Sequence, residues 1–178
     1  MAIGVISVRY ARALLKCAME QNLEDQVYQE MITLADQYNR VPELSSTIDN
    51  PMLDKDKKQA LLQAACGMNL SELTEKFIQL VLQEGRENVI QMMATSYITL
   101  YRKQKNIISG RLITATTVTP EVEQKMKQMV QNKSQATVEF QTEVNPDIIG
   151  GFILEYDSYR MDASVQTKLN NILKELKK

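Results

Sequence analysis

The sequence predicts a mainly α protein in two parts. A six-helix bundle spans residues 1–105 and a small α+β domain spans 106–178. Three observations carry this reading. Apolar residues recur at helical spacing through the first part. The second part turns to β-branched residues that alternate in polarity. Its 178 residues, 44% hydrophobic and 24% charged, suit one ordinary domain or two small ones and argue against disorder.

The first helix runs over Ile6–Gln21. Tyr10, Ala13, Leu14 and Cys17 form one stripe, and Ile6, Ala11, Leu15 and Ala18 a neighbouring one. A helix so widely apolar must be covered on more than one side. Asn22 breaks it. Val27, Met31, Leu34 and Tyr38 mark the second helix, and Val41-Pro42 starts a short third. Asn50-Pro51 is a turn. Asp54 caps a fourth helix running through Ala60, Leu61 and Ala64 to Gly67. Asn69, with Glu72 three residues on, fits as the cap of the fifth better than Ser71 does. That helix carries Leu73, Phe77, Leu80, Val81 and Glu84 and stops at Gly85. The sixth uses Val89, Ile90, Met93, Tyr97, Leu100 and Tyr101 and ends in Arg102-Lys103-Gln104-Lys105, a solvated cationic helix end.

The second part reads β-α-β-turn-β-β-α. Ile107–Thr119 is a strand. Thr119 before Pro120 caps a helix with Val122, Met126, Met129 and Val130 on its apolar face. Ala136–Val144 alternates again. Asp157-Ser158 turns a hairpin between Phe152–Tyr156 and Tyr159–Asp162. Ser164 caps a final helix striped by Val165, Leu169, Ile172, Leu173 and Leu176. About 70 residues bury only a limited core, so this domain gains from a partner.

Composition narrows the function. Net charge is −1, spread evenly as −1 and 0 over the two parts, so neither nucleic acid nor anionic lipid is attracted. No His is present, which removes the commonest general base and transition-metal ligand. Cys17 and Cys66 are too few for a zinc site and read as small apolar residues. The opening MAIGVISVRYARALL does not have the pattern of a signal peptide, and no run reaches the roughly 20 apolar residues of a spanning helix. Gly150-Gly151 lacks the Lys-Ser/Thr of a phosphate loop and the third Gly of a dinucleotide fingerprint. Glu155, Asp157 and Asp162 lie close enough in sequence to suggest a carboxylate enzyme, but Asp fills turns and helix caps more readily. Ten Met residues, Met31, Met93, Met126 and Met129 among them on apolar stripes, suit cores and helix-accepting surfaces. The residues alone point to a binding adaptor without cofactor, metal or small-molecule substrate. A helix-binding regulatory adaptor of the cytoplasm is one form this takes.

A family resemblance makes the expectation concrete. RYARALL (Arg9–Leu15), QEGRENVI (Gln83–Ile90) and NPDIIGGFILEYDSYRMDASVQTKLNNIL (Asn145–Leu173) resemble the delta subunits of bacterial F-type ATP synthases, relatives of the mitochondrial oligomycin-sensitivity-conferring protein. The last segment is the most specific, with Gly150, Gly151, Asp162, Ser164 and Val165 as its signature. The resemblance spans essentially the whole chain. It implies a non-catalytic stator subunit at the cytoplasmic face of the membrane, held there only through the complex. The bundle would bind the N-terminal helix of an alpha subunit between its first and fifth helices, here Ile6–Gln21 and Leu70–Glu84. The groove residues would be Tyr10, Ala13, Leu14, Cys17, Phe77, Leu80, Val81 and Glu84. The C-terminal domain would hold the b subunits of the peripheral stalk, with the final helix and Phe152–Tyr156 contributing.

Overall fold

The computed structural model describes residues 3–67, 69–134, 137–156 and 159–176, apart from the side chains of Ile3, Lys127, Met129, Val130, 132–134 and Val138. These residues form eight α-helices and a four-stranded sheet. The chain divides into two compact units, Met1–Lys103 and Gln104–Lys178.

The first unit holds α1 (Ile3–Glu20), α2 (Glu24–Arg40), α3 (Pro42–Asp49), α4 (Lys55–Cys66), α5 (Glu72–Gln83) and most of α6 (Ile90–Gln104). The stripes expected on α2 and α6 are buried, with Leu100 only half-buried: Val27, Met31, Leu34 and Tyr38 on one, Val89, Ile90, Met93, Tyr97 and Tyr101 at the other. On α4 the inward residues are Lys58, Leu62 and Cys66, while Leu61 is exposed. Asp54 stands at its N-cap position without a side-chain capping bond. Two helices stop in the same way. After α1, Asn22 takes a φ of 55°, and Leu23 N–H donates to the Ala18 carbonyl. After α5, Gly85 takes a φ of 63°, and Arg86 N–H donates to the Val81 carbonyl. Both are left-handed closures that satisfy helix-end carbonyls, and both need a residue that tolerates positive φ.

The start of α5 corrects the sequence reading. Ser71, not Asn69, is the N-cap: its Oγ accepts from Thr74 N–H at 3.3 Å. A buried carboxylate from α2 joins it. Glu30 is 5% exposed and accepts from Ser71 N–H at 2.7 Å, Ser71 Oγ at 2.8 Å, Thr74 Oγ1 at 2.5 Å and Gln26 Nε2 at 3.1 Å. Asn69 instead offers its carbonyl to Gln26. At the other end of α5, Lys55 of α4 donates to the Gln83 carbonyl at 3.3 Å, and Lys58 pairs with Glu87 at 2.8 Å. Burial works against the Glu87 carboxylate, but hydrogen bonds from Lys58 and the backbone outweigh it and lower its pKa. An anion at the N-terminus and cations at the C-terminus both match the dipole of α5.

The end of α6 is not simply solvated. Arg102 Nε donates to Tyr28 Oη at 2.8 Å, and Tyr28 stacks on Tyr101 with 4.1 Å between ring centroids. Tyr101 Oη donates to Asp25 at 2.7 Å. These contacts tie α6 to α2.

In the second unit the strands are β1 (Ile107–Thr114), β2 (Thr137–Val144), β3 (Phe152–Tyr156) and β4 (Tyr159–Asp162), in the order β2-β1-β3-β4. β1 and β2 run parallel, joined through α7 (Pro120–Ser134), and the other pairs are antiparallel. Parallel neighbours require such a crossover. β1 ends at Thr114 rather than Thr119, because the Thr114 hydroxyl donates to the Thr116 carbonyl at 2.8 Å and turns the chain out of the sheet. Tyr156 pairs with Tyr159 across the hairpin. The turn residues expected there, Asp157 and Ser158, lie outside the described residues, as do Ala136 and the side chains of Met129 and Val130. Leu112 and Leu154 centre the core, with Met126, Phe140 and Phe152 packed against them.

The Gly150-Gly151 segment joins the sheet to α8 (Val165–Leu176). Gly151 has a φ of 77°, and a Cβ there would stand 2.3 Å from the Ala163 carbonyl oxygen. Gly150 accepts from Val165 N–H at 2.9 Å. Ser164 caps α8 through Thr167 N–H at 3.2 Å, and Asp162 accepts from Ser164 N–H and Thr167 Oγ1, each at 3.0 Å. Just before the Gly pair, Ile149 takes a φ of 66°, and Gly150 N–H donates back to the Ile148 carbonyl at 2.7 Å. This is a three-residue turn that a β-branched side chain adopts only under strain.

Two stability changes follow, both read by chemical denaturation. Glu30→Ala leaves the Ser71 and Thr74 donors buried without an acceptor and destabilises the first unit by about 2–3 kcal/mol. Ile149→Gly relieves the turn and stabilises the second unit by about 1 kcal/mol, since backbone strain of this kind costs about 1–3 kcal/mol and glycine entropy offsets part of it.

Candidate docking groove

The N-terminal helix exposes a second apolar face. Ala11, Leu14, Leu15 and Ala18 are buried in the unit, while Tyr10 is half-buried and Ala13 and Cys17 are exposed. That outer stripe meets α5 along a groove. A cavity of about 180 Å³ is lined by Tyr10, Ala13, Leu14, Cys17, Leu73, Lys76, Phe77 and Leu80. A second hollow of about 350 Å³ shares Tyr10, Ala13 and Leu80 and adds Ile6, Arg9 and Arg86. The small Ala13 keeps the trough open. Phe77 is 7% exposed and Leu80 is 47% exposed, so α5 supplies both a packed floor and a raised edge.

Six of the eight expected groove residues, Tyr10, Ala13, Leu14, Cys17, Phe77 and Leu80, line this trough. Val81 does not. It is fully buried: one turn on from Phe77, it is rotated toward Ile78 and the bundle core. Glu84 is exposed at the C-cap of α5, beyond the lining. Leu73, Lys76, Ile6, Arg9 and Arg86 belong to the groove and were not expected there. Leu73 extends the Phe77–Leu80 row by one turn, a signal present in the sequence. Arg86 depends on the closure at Gly85, which brings its guanidinium to 5.9 Å from the Tyr10 ring centroid.

The signature residues serve a different place. Gly150, Gly151, Asp162, Ser164 and Val165 all meet at the start of α8 and form its joint with the sheet. Hydrogen bonds from Ser164 and Thr167 and the nearby Arg160 hold the Asp162 carboxyl below the usual carboxylate range. Glu155 pairs with Arg160 at 3.2 Å. These carboxylates are therefore engaged in a cap and an ion pair on the hairpin, and Asp157 lies outside the described residues. No group of three His, Cys, Asp or Glu able to hold a metal occurs among the described residues. Beyond the joint, α8 has no buried residue: Val165, Leu169, Ile172, Leu173 and Leu176 are 37–78% exposed. No described helix is long and apolar enough to cross a membrane.

The two thiols differ sharply. Cys17 is exposed in the groove. Cys66 is buried, and burial together with the Glu30 charge pushes its pKa up to about 12. A maleimide reagent at pH 7.5 therefore labels Cys17 alone in the folded protein and both after denaturation, as read by peptide mass spectrometry.

Comparison with known proteins agrees with this architecture. The family model described as ATP synthase delta (OSCP) subunit matches residues 6–176. The chain is 47% identical to the ATP synthase subunit delta of Phocaeicola vulgatus, over 97% of this chain and 94% of that one. It is 41% identical to that of Parabacteroides distasonis, over 97% and 96%. A chain in the cryo-EM structure of the Toxoplasma gondii mitochondrial ATP synthase hexamer shares the fold, with a TM-score of 0.65 at 19% identity and 97% coverage of both chains. With groove, sheet and matched sequence running together along nearly its whole length, the chain belongs to the ATP synthase delta (OSCP) subunit family.

Proposed function

We propose that this subunit is a non-catalytic stator joint. Its six-helix bundle grips the catalytic head through the N-terminal helix of an alpha subunit. Its smaller α+β domain grips the b subunits of the peripheral stalk. The joint thereby resists rotor torque during proton-driven ATP synthesis, at the cytoplasmic face of the membrane and without a membrane segment of its own.

One observation carries the reading: among the described residues, each unit leaves an apolar helical surface uncovered. In the first it is the α1–α5 trough, concave and sized for side chains of a third helix. In the second it is the outward face of α8. Two docking surfaces on two units are what a connector requires. Apolar helix-in-groove contacts also depend little on salt, as a torque-resisting contact requires. For the b subunits, the exposed Leu169–Leu173 row and the β3–β4 edge form the proposed contact. Carboxylates engaged in caps and ion pairs give no support to an enzyme.

A synthetic peptide of the alpha subunit's first ~20 residues binds the full chain one to one by calorimetry. Tyr10→Asp weakens that binding by roughly thirty-fold or more, the scale of an aromatic anchor lost from an interface. Leu169→Asp leaves peptide binding unchanged and abolishes recovery of b subunits in a pull-down from native membranes. Recovery of polymerase components in place of alpha, beta and b subunits defeats the reading in favour of a regulatory adaptor.

A further inference from the structure

The groove has a charged border as well as an apolar floor. Arg9, Arg12 and Lys16 are exposed along one side of α1, at spacings of three and four; they line an adjoining hollow with Val5 and Val8 that meets the groove at Arg9 and Ala13. None of them pairs with a described acidic residue. Across the second hollow stands Arg86. Its guanidinium lies over Tyr10, and its Nε is buried with no described hydrogen-bond acceptor. A buried donor left open is costly, by about as much as a lost hydrogen bond. The other border is not basic in the same way: Lys76 is neutralised by Glu72 at 2.6 Å, and Glu84 stands exposed at the end of α5. The cations therefore gather on the α1 side and at the Arg86 end.

Resting on the docking reading above, we infer that the occupant of the groove is an acidic amphipathic helix. Its apolar row fills the Tyr10–Leu80 trough, a flanking row of Asp or Glu faces Arg9, Arg12 and Lys16, and one carboxylate pairs with the Arg86 guanidinium at the second hollow. The apolar floor supplies affinity. The charges fix the register and rotation of the docked helix, since a turn of the helix about its axis would carry the carboxylates away from the cations. The Arg86 contact is the strongest of these, because it is charge-assisted and Arg86 is half-buried where Arg9, Arg12 and Lys16 are exposed.

The test compares two peptides on the full chain: the alpha subunit's first ~20 residues from the same organism, and the same peptide with every Asp and Glu changed to Asn and Gln. The inference expects the native peptide to carry these carboxylates and the amide peptide to bind roughly ten-fold or more weakly in low salt. Arg86→Gln should erase most of that difference, with folding checked by circular dichroism, and Arg12→Gln, on an exposed position, should reduce it. Equal binding of the two peptides, a native peptide without carboxylates that still binds, or an unchanged difference in both variants overturns the acidic-helix inference and leaves the docking reading standing. If neither peptide binds, the docking reading fails and the inference with it.

Discussion

The buried carboxylate of Glu30 is the contact on which the docking surface depends. A groove between α1 and α5 exists only if α5 is held at a fixed height and rotation. Glu30 reaches from α2 to the first turn of α5 and accepts four hydrogen bonds, so its charge is buried without being left unpaired. At the far end Lys55 meets the last carbonyls of α5, and the Gly85 closure sends the chain under Tyr10. Pinned at both ends by charges of the right sign, α5 presents Phe77 and Leu80 as one wall.

The second unit solves a related problem with backbone rather than charge. Its final helix is attached at one end, through Gly150, Gly151, Asp162 and Ser164, and offers the rest of its length outward. Gly151 is required because any Cβ would strike the Ala163 carbonyl. The segment that most resembles a phosphate loop in the sequence is thus a hinge plate for α8. Strain is stored beside it at Ile149, whose side chain is 62% exposed.

The two uncovered surfaces differ in form. One is a trough with a rigid floor, suited to a single helix of defined register. The other is the open apolar face of α8, which stands out from a small sheet. Neither needs a titrating group, which accords with a sequence that has no His and whose Asp162 and Glu155 are engaged structurally.

Much of this was legible in the residues. Helical spacing alone placed six helices before residue 105, and β-branched alternation placed the strands, because secondary structure follows from local periodicity. The two-stripe character of α1 was visible too. The sequence could not decide which stripe faced inward, since both are apolar and periodicity carries no direction. Packing decided it residue by residue: Ala11, Leu14, Leu15 and Ala18 are buried, Ile6 and Tyr10 half-buried, and Ala13 and Cys17 exposed. Val81 was misplaced for the same reason. The Glu30–Ser71 contact spans 41 residues, and no local rule pairs a mid-helix carboxylate with a distant helix start. The sequence by itself determined the elements and the family. Only the tertiary structure decided which apolar faces remained uncovered, because burial is a property of what lies opposite, not of the residue itself.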